Sequence, residues 1–254
     1  RNTRYTDLFM YTIGPITLLY LFYEMARSTP EDRKKLWAGL IFIVFSVFFW
    51  AFFEQSGGSL SLFALNNLHS SLLGLNIDPN VVNNSSNSVF VILFSPLIGL
   101  LWVWLSKRKL EPNSGVKFGL GFLFLAAAFF VFYATVFFAG PDGKTSLNVF
   151  TLAYLIITIG ELCLSPIGLS LMTKLAPDRM QGLMMGMWFL ASAYGQYVAG
   201  LFGAEMSLGK DASLMDKLVS YTTGYRELGL YALVAGIVLL LLSPVLRKLM
   251  GNVK

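Results

Sequence analysis

Seven apolar stretches, at about 8–26, 37–65, 88–106, 116–139, 146–173, 181–206 and 227–246, govern what this chain can fold into. Several reach the roughly 20 residues that a helix needs to cross a bilayer. In hydrocarbon, backbone N–H and C=O groups find no water, so only helices and closed barrels span it. A barrel would read as alternating strands of about ten residues. These runs are continuous, so helices are predicted. Composition points the same way: 56% of the 254 residues are hydrophobic and 13% charged, against about 25% charged in soluble domains. The expected fold class is an all-α, polytopic membrane protein.

The linkers give a direction. Arg27, Arg33, Lys34 and Lys35 lie between the first two segments, and Lys107, Arg108, Lys109 and Lys117 between the third and fourth. Lys174 and Arg179 follow on the same side, with Arg247, Lys248 and Lys254 at the C-terminal end. The opposite side holds Arg1, Arg4, Lys144, Lys210, Lys217 and Arg226. The cation-rich side is expected to be cytoplasmic, C-terminus included. This distribution explains the net charge of +5 without a nucleic-acid partner; the expected partner is the lipid bilayer. The chain opens on Arg1 with no initiator Met or signal-peptide pattern, and is expected to be part of a longer protein.

The chemistry is narrow. One cysteine, Cys163, and one histidine, His69, leave no disulfide framework and no metal spacing. His69 sits in the polar stretch 66–87, read as a loop with a short helix, and is expected to be a surface residue. No nucleophile elbow, zinc motif or glycine-rich phosphate loop is present. No cofactor is expected. Small residues at four-residue spacing (Gly115 and Gly119, Gly182 and Gly186, Ala191 and Gly195, Ala199 and Gly203) are read as helix-packing devices.

Two acids stand deep within apolar segments, Glu54 and Glu161. A charge at the centre of a membrane helix costs about 2.5–3.5 kcal/mol on insertion scales, so such a residue faces a cavity, is paired, or is protonated. Trp50 precedes Glu54 by one helical turn, and Gly57 and Gly58 follow, where a helix can bend. A carboxyl that alternates between dry and wet surroundings can take up and release a proton. Glu161 lies in "GELCLSPIGLS". Ser165 is one turn on, and Pro166 lacks an N–H for the carbonyl of Leu162, so a helix break is expected there. An apolar wall with one anionic group suits a ligand bearing an ammonium. Trp188, in "MMGMWFLASAYGQ", is a further candidate within the sixth segment.

These stretches carry a family resemblance. "FFWAFFEQSGGSL", 48–60, resembles the seventh helix of the proton-coupled oligopeptide transporter family: a Trp, three residues, then Glu-Gln and small residues. "GELCLSPIGLSLMTKLAPDRMQGLMMGMWFL", 160–190, resembles that family's tenth helix, cytoplasmic turn and eleventh helix. The resemblance covers 37–250 in order. It implies the C-terminal six-helix bundle of a major facilitator fold over 37–254. Residues 1–36 would be one extra transmembrane helix, from a pair inserted between the halves, and its cytoplasmic linker. The whole protein would then import di- and tripeptides with protons across a bacterial inner membrane, by alternating access against an N-terminal six-helix half.

Residue by residue, the resemblance assigns proton coupling to Glu54, with Trp50 lining the same side. Glu161 would meet the peptide's amino terminus, Asn87 and Ser165 would contact substrate, and Trp188 and Phe189 would line the pocket or gate. The family's Gln-Ser-x-Asn-Pro before its eighth helix reads "NSSNS" here, so Asn87 is retained while Asn84 and Ser88 replace Gln and Pro. Two alternatives stand beside this reading. One is a family transporter of nitrate or another small organic solute, against which Glu161 argues. The other is an intramembrane enzyme using the two glutamates as acid and base.

Overall fold

A computed structural model describes residues 4–209 and 211–253. Arg1, Lys210 and Lys254, counted in the charge balance above, lie outside the described residues. The helices are α1 (Arg4–Ala26), α2 (Pro30–Phe53), α3 (Ser59–Asn67), α4 (Pro79–Lys107), α5 (Ser114–Ala134), α6 (Leu147–Leu175), α7 (Gln181–Met206) and α8 (Leu214–Met250). Six stretches are long and apolar enough to cross a membrane, with α2 and α3 together forming one of them. The exception among the long helices is α7, whose apolar run is diluted by Gln181, Ser192, Tyr194, Gln196 and Tyr197. The all-α expectation holds. Outside the helices the described residues form one antiparallel ladder, β1 (Ser71–Leu72) with β2 (Leu75–Asn76). Its turn places Leu73 and Gly74 at positive φ, as a two-residue hairpin needs.

Caps set the helix starts, and they move several expected boundaries. Thr29 caps α2 by accepting from Asp32 N at 3.2 Å, and Pro30 follows in the first turn. The charged stretch 31–35 is therefore helical, and the boundary expected at 37 falls inside α2. Asp78 caps α4 in the same way, accepting from Asn80 N at 2.7 Å with Pro79 next. Residues 79–87, expected within a loop holding a short helix, are thus the first turns of the long helix α4. Ser213 caps α8, which begins 13 residues before its expected apolar run.

Helix breaks also fall differently. Through Pro166, α6 runs on as one helix, where a break was expected. The break lies instead at Glu54, where α2 tightens into a 3₁₀ turn, Glu54–Gly57, before α3 restarts at Ser59. The glycine pair there does supply the expected bend.

Within the bundle α5 packs between α6 and α8, α2 lies on α7, and α4 lies on α6. Lipid tails are as apolar as leucine, so close packing rather than burial holds such helices together. Small residues permit it. A Cβ built on Gly121 would stand 3.0 Å from the Gly160 carbonyl, and one on Gly160 2.8 Å from that of Gly121. Gly119 abuts Leu240, and Gly195 abuts the backbone of Trp50 and Ala51. Gly182 and Gly186 are a correction to the packing expectation. Both face open space, with nothing within 4 Å, on an exposed α7 stripe with Phe189, Ala193, Gln196 and Gly200.

Gly195→Val should cost about 1–3 kcal/mol, the usual penalty for overpacking. The added carbon would run into Trp50 Cβ and sit 2.8 Å from the Trp50 carbonyl carbon and 2.9 Å from Ala51 N, so the two backbones would have to part. Thermal unfolding in detergent measures it, and an unchanged melting temperature would show that the α2–α7 seam yields freely.

Loops gather at two ends. At one, the Asn67 amide donates to the carbonyls of Gly143 (2.8 Å) and Leu214 (2.7 Å), and His69 N donates to Thr145 O at 3.0 Å. The His69 residue itself is exposed. At the other end, Arg179 pairs with Glu24 at 3.3 Å and donates to Ser28 Oγ at 3.3 Å. This ties α1 to the turn between α6 and α7. Higher on α1, Tyr197 OH donates to Asp7 Oδ1 at 2.8 Å, and Tyr194 OH donates to the Met10 carbonyl.

Candidate functional site

Glu54 is the residue at which α2 stops. Its backbone N–H still bonds the Trp50 carbonyl, closing the last α-helical turn. Its half-buried side chain accepts from Gln196 Nε2 of α7 at 3.2 Å. Gln55 beside it is fully buried and locks the break. Its Nε2 donates to the carbonyls of Ala51 (3.2 Å) and Ala199 (3.3 Å), and its Oε1 accepts from Ser59 Oγ at 2.7 Å. The glutamate thus sits on a backbone turn whose polar groups are met from α2, α3 and α7 together.

Glu161 stands at the middle of α6, half-buried. Asn87 of α4 donates from Nδ2 to Glu161 Oε2 at 2.8 Å and reaches Thr158 Oγ1 at 3.3 Å. A neutral amide donor on a carboxylate orients it without neutralising it, which leaves room for a cation to complete the site. Ser165 is half-buried one turn along α6.

The remaining candidates divide. Trp50 packs edge-on against Phe49 and Phe53, and its Nε1 is buried with no hydrogen-bond partner among the described residues. Such a donor ordinarily has an acceptor. Trp188 is 3% exposed; it lies against Gly168 of α6 and edge-on to Phe118 of α5, a wall that joins three helices. Its neighbour Phe189 points the other way and is 60% exposed. The structure therefore brings Asn87 and Glu161 into contact, leaves Trp50 with an unmet donor, and sets Trp188 and Phe189 on different faces of α7.

Sequence reasoning missed the partners. Gln196 could have been flagged by the rule that found the glutamates, being a polar side chain inside a membrane segment. Asn83 and Tyr154 carry no such mark. Tyr154 OH donates to Asn83 Oδ1 at 2.6 Å, and Asn83 Nδ2 donates to the Ser56 carbonyl at 3.0 Å. No group of three or more His, Cys, Asp or Glu able to hold a metal ion occurs among the described residues.

With this geometry in place, comparison with known proteins is specific. The family profile PTR2, described as the POT family, matches residues 5–212. The peptide transporter YePEPT of Yersinia enterocolitica is 38% identical over 251 residues, covering 97% of this chain and 47% of that protein. Dipeptide and tripeptide permease B of Salmonella typhimurium is 27% identical, covering 99% of this chain and 51% of that one. Among solved structures, a peptide transporter POT in complex with sulfate superposes with a TM-score of 0.78 at 29% identity, covering 97% of this chain and 49% of the other. The chain spans about half the length of the curated relatives it matches.

Proposed function

Since the chain belongs to the POT family, we propose that the whole protein is a symporter that carries di- and tripeptides with protons. The present chain is its C-terminal half, with residues 1–36 the inserted helix and its linker and 37–254 the six-helix bundle. Alternating access needs the N-terminal half, and this chain alone does not transport. The exposed α7 stripe of Gly182, Gly186, Ala193 and Gly200 suits close approach by another helix of that half. The protein resides in the inner membrane of a bacterium, with its cation-rich end and C-terminus in the cytoplasm.

The observation that carries this reading is the Asn87–Glu161 pair. It is a half-buried carboxylate oriented by an amide and free to take an ammonium, the one cation shared by peptides of every sequence. Ser165 and Trp50 add contacts for the peptide, the exposed Phe189 lines its pocket or gate, and Trp188, buried between α5, α6 and α7, supports that gate from within the bundle. Glu54, on the broken helix, takes up the coupling proton, and no other cofactor enters the cycle. Nitrate would meet repulsion at Glu161.

The test uses the full-length protein in proteoliposomes with labelled dialanine and an inward proton gradient. Accumulation above the external concentration, collapsing when an uncoupler is added, is expected. Uptake that only equilibrates, or turnover of the peptide that is indifferent to the uncoupler, would overturn the reading.

A further inference from the structure

A series of polar contacts runs from the turn after Glu54 to Glu161, passing at Tyr154 from the side chain to the backbone of the same residue. It starts at the Ser56 carbonyl, two residues beyond Glu54, which accepts from Asn83 Nδ2 at 3.0 Å. Asn83 Oδ1 accepts from Tyr154 OH at 2.6 Å. The Tyr154 carbonyl accepts from Thr158 Oγ1 at 2.7 Å. Thr158 Oγ1 accepts in turn from Asn87, whose amide also donates to Glu161 Oε2. Asn83 is 1%, Tyr154 2% and Thr158 0% exposed, so water does not compete for these bonds.

The location matters as much as the bonds. The buried residues of α4 are Pro79, Val82, Asn83 and Ser86, all in its first eight positions. The rest of this 29-residue helix rests on apolar surface without a buried residue. Hence the fully buried grip on α4 lies at its first turns, where Asn83 is bonded on both sides, while towards its other end Trp102 lies under Lys117 of α5. Asn87 lies one turn further along the same face. Any shift of the Ser56 carbonyl must carry Asn83 with it or leave a buried amide unmet. Moving Asn83 moves Asn87 relative to α6, and so changes the hold on Glu161.

We infer that Asn83 and Tyr154 are positioning residues that couple the turn bearing Glu54 to the carboxylate of Glu161, through the anchored end of α4. Neither touches substrate or proton in this assignment. The inference rests on the peptide-symport reading above.

Tyr154→Phe removes one oxygen and keeps the ring that packs on Phe132 and Phe150. Asn83→Ala cuts both bonds. In proteoliposomes of the full-length protein, each is expected to lower gradient-driven dialanine accumulation about tenfold while dialanine exchange without a gradient stays within about twofold, as for residues of one network. The double variant should be no worse than the poorer single one, since both cut the same line. Parallel loss of driven uptake and exchange would mark a merely structural role and overturn the assignment. So would an unchanged Tyr154→Phe, or losses that multiply in the double variant. If Asn83→Ala does not fold, Tyr154→Phe decides by the same split. If the wild type itself fails to accumulate dialanine, it is the symport reading that falls.

Discussion

Glu54→Gln in the full-length protein is expected to abolish accumulation of dialanine on a proton gradient while leaving exchange across the membrane intact. Glutamine keeps the length of the side chain and still offers an oxygen to Gln196 Nε2, so the α2–α7 contact at 3.2 Å survives. What it loses is the ability to bind and release a proton. The placement makes that loss decisive. Glu54 begins the 3₁₀ turn at which α2 breaks, where the backbone is not committed to a continuous helical ladder and can respond to a change in one side chain. Exchange needs only the loaded protein to reorient, whereas accumulation needs the proton to enter on one side and leave on the other. Gradient-driven uptake and counterflow, measured on the same vesicles, separate the two. A variant that still accumulates peptide would place coupling at another residue, and one that loses both activities would make Glu54 a binding or folding residue.

The second large effect is expected at Glu161. Glu161→Gln should weaken binding of free-amine dipeptides by about 2–5 kcal/mol, the range for truncating one partner of a buried, hydrogen-bonded charge pair. That corresponds to about 30-fold or more in Kd. N-acetylated dipeptides, which bring no ammonium, should be affected far less. The amide oxygen of glutamine can still accept from Asn87 Nδ2, so the α4–α6 contact at 2.8 Å persists and the loss reports on charge. Binding of both peptide classes to wild type and variant in detergent is the measurement. Equal losses would remove the assigned contact with the amino terminus.

Much of this architecture could be read from the chain. Apolar runs long enough to span a bilayer have few alternatives, and a carboxylate inside one is costly enough to draw attention. The polar residues of 79–87 were misread for an intelligible reason. In a membrane chain a run of asparagines and serines looks like loop, yet here Asn83 and Asn87 are polar because they face partners on α6 and on the turn after Glu54. Asp78–Pro79, an N-cap and a first-turn proline, was the sign that a helix had begun. Pro166 misled in the opposite sense, since neighbouring helices can support a proline within a membrane helix. The break came where the buried amide of Gln55 meets the carbonyls of Ala51 on α2 and Ala199 on α7. The Tyr154–Asn83 bond joins residues 71 apart; no spacing rule reaches that far, because only the folded bundle makes them neighbours. Gly182 and Gly186 had the right spacing for packing and no partner within 4 Å among the described residues.

The polar anchorage of the first turns of α4 bears on the order in which the protein is made. During synthesis α4 enters the bilayer two long helices ahead of α6. The Ser56 carbonyl is already present to take the Asn83 amide proton, but Asn83 Oδ1 and the whole of Asn87 must wait for Tyr154, Thr158 and Glu161. Until then α4 can rest on α3 and on Lys117 of α5, but its polar end is only half filled. The docking of α4 on α6 is therefore completed late, and α6 is the segment whose emergence from the ribosome permits it.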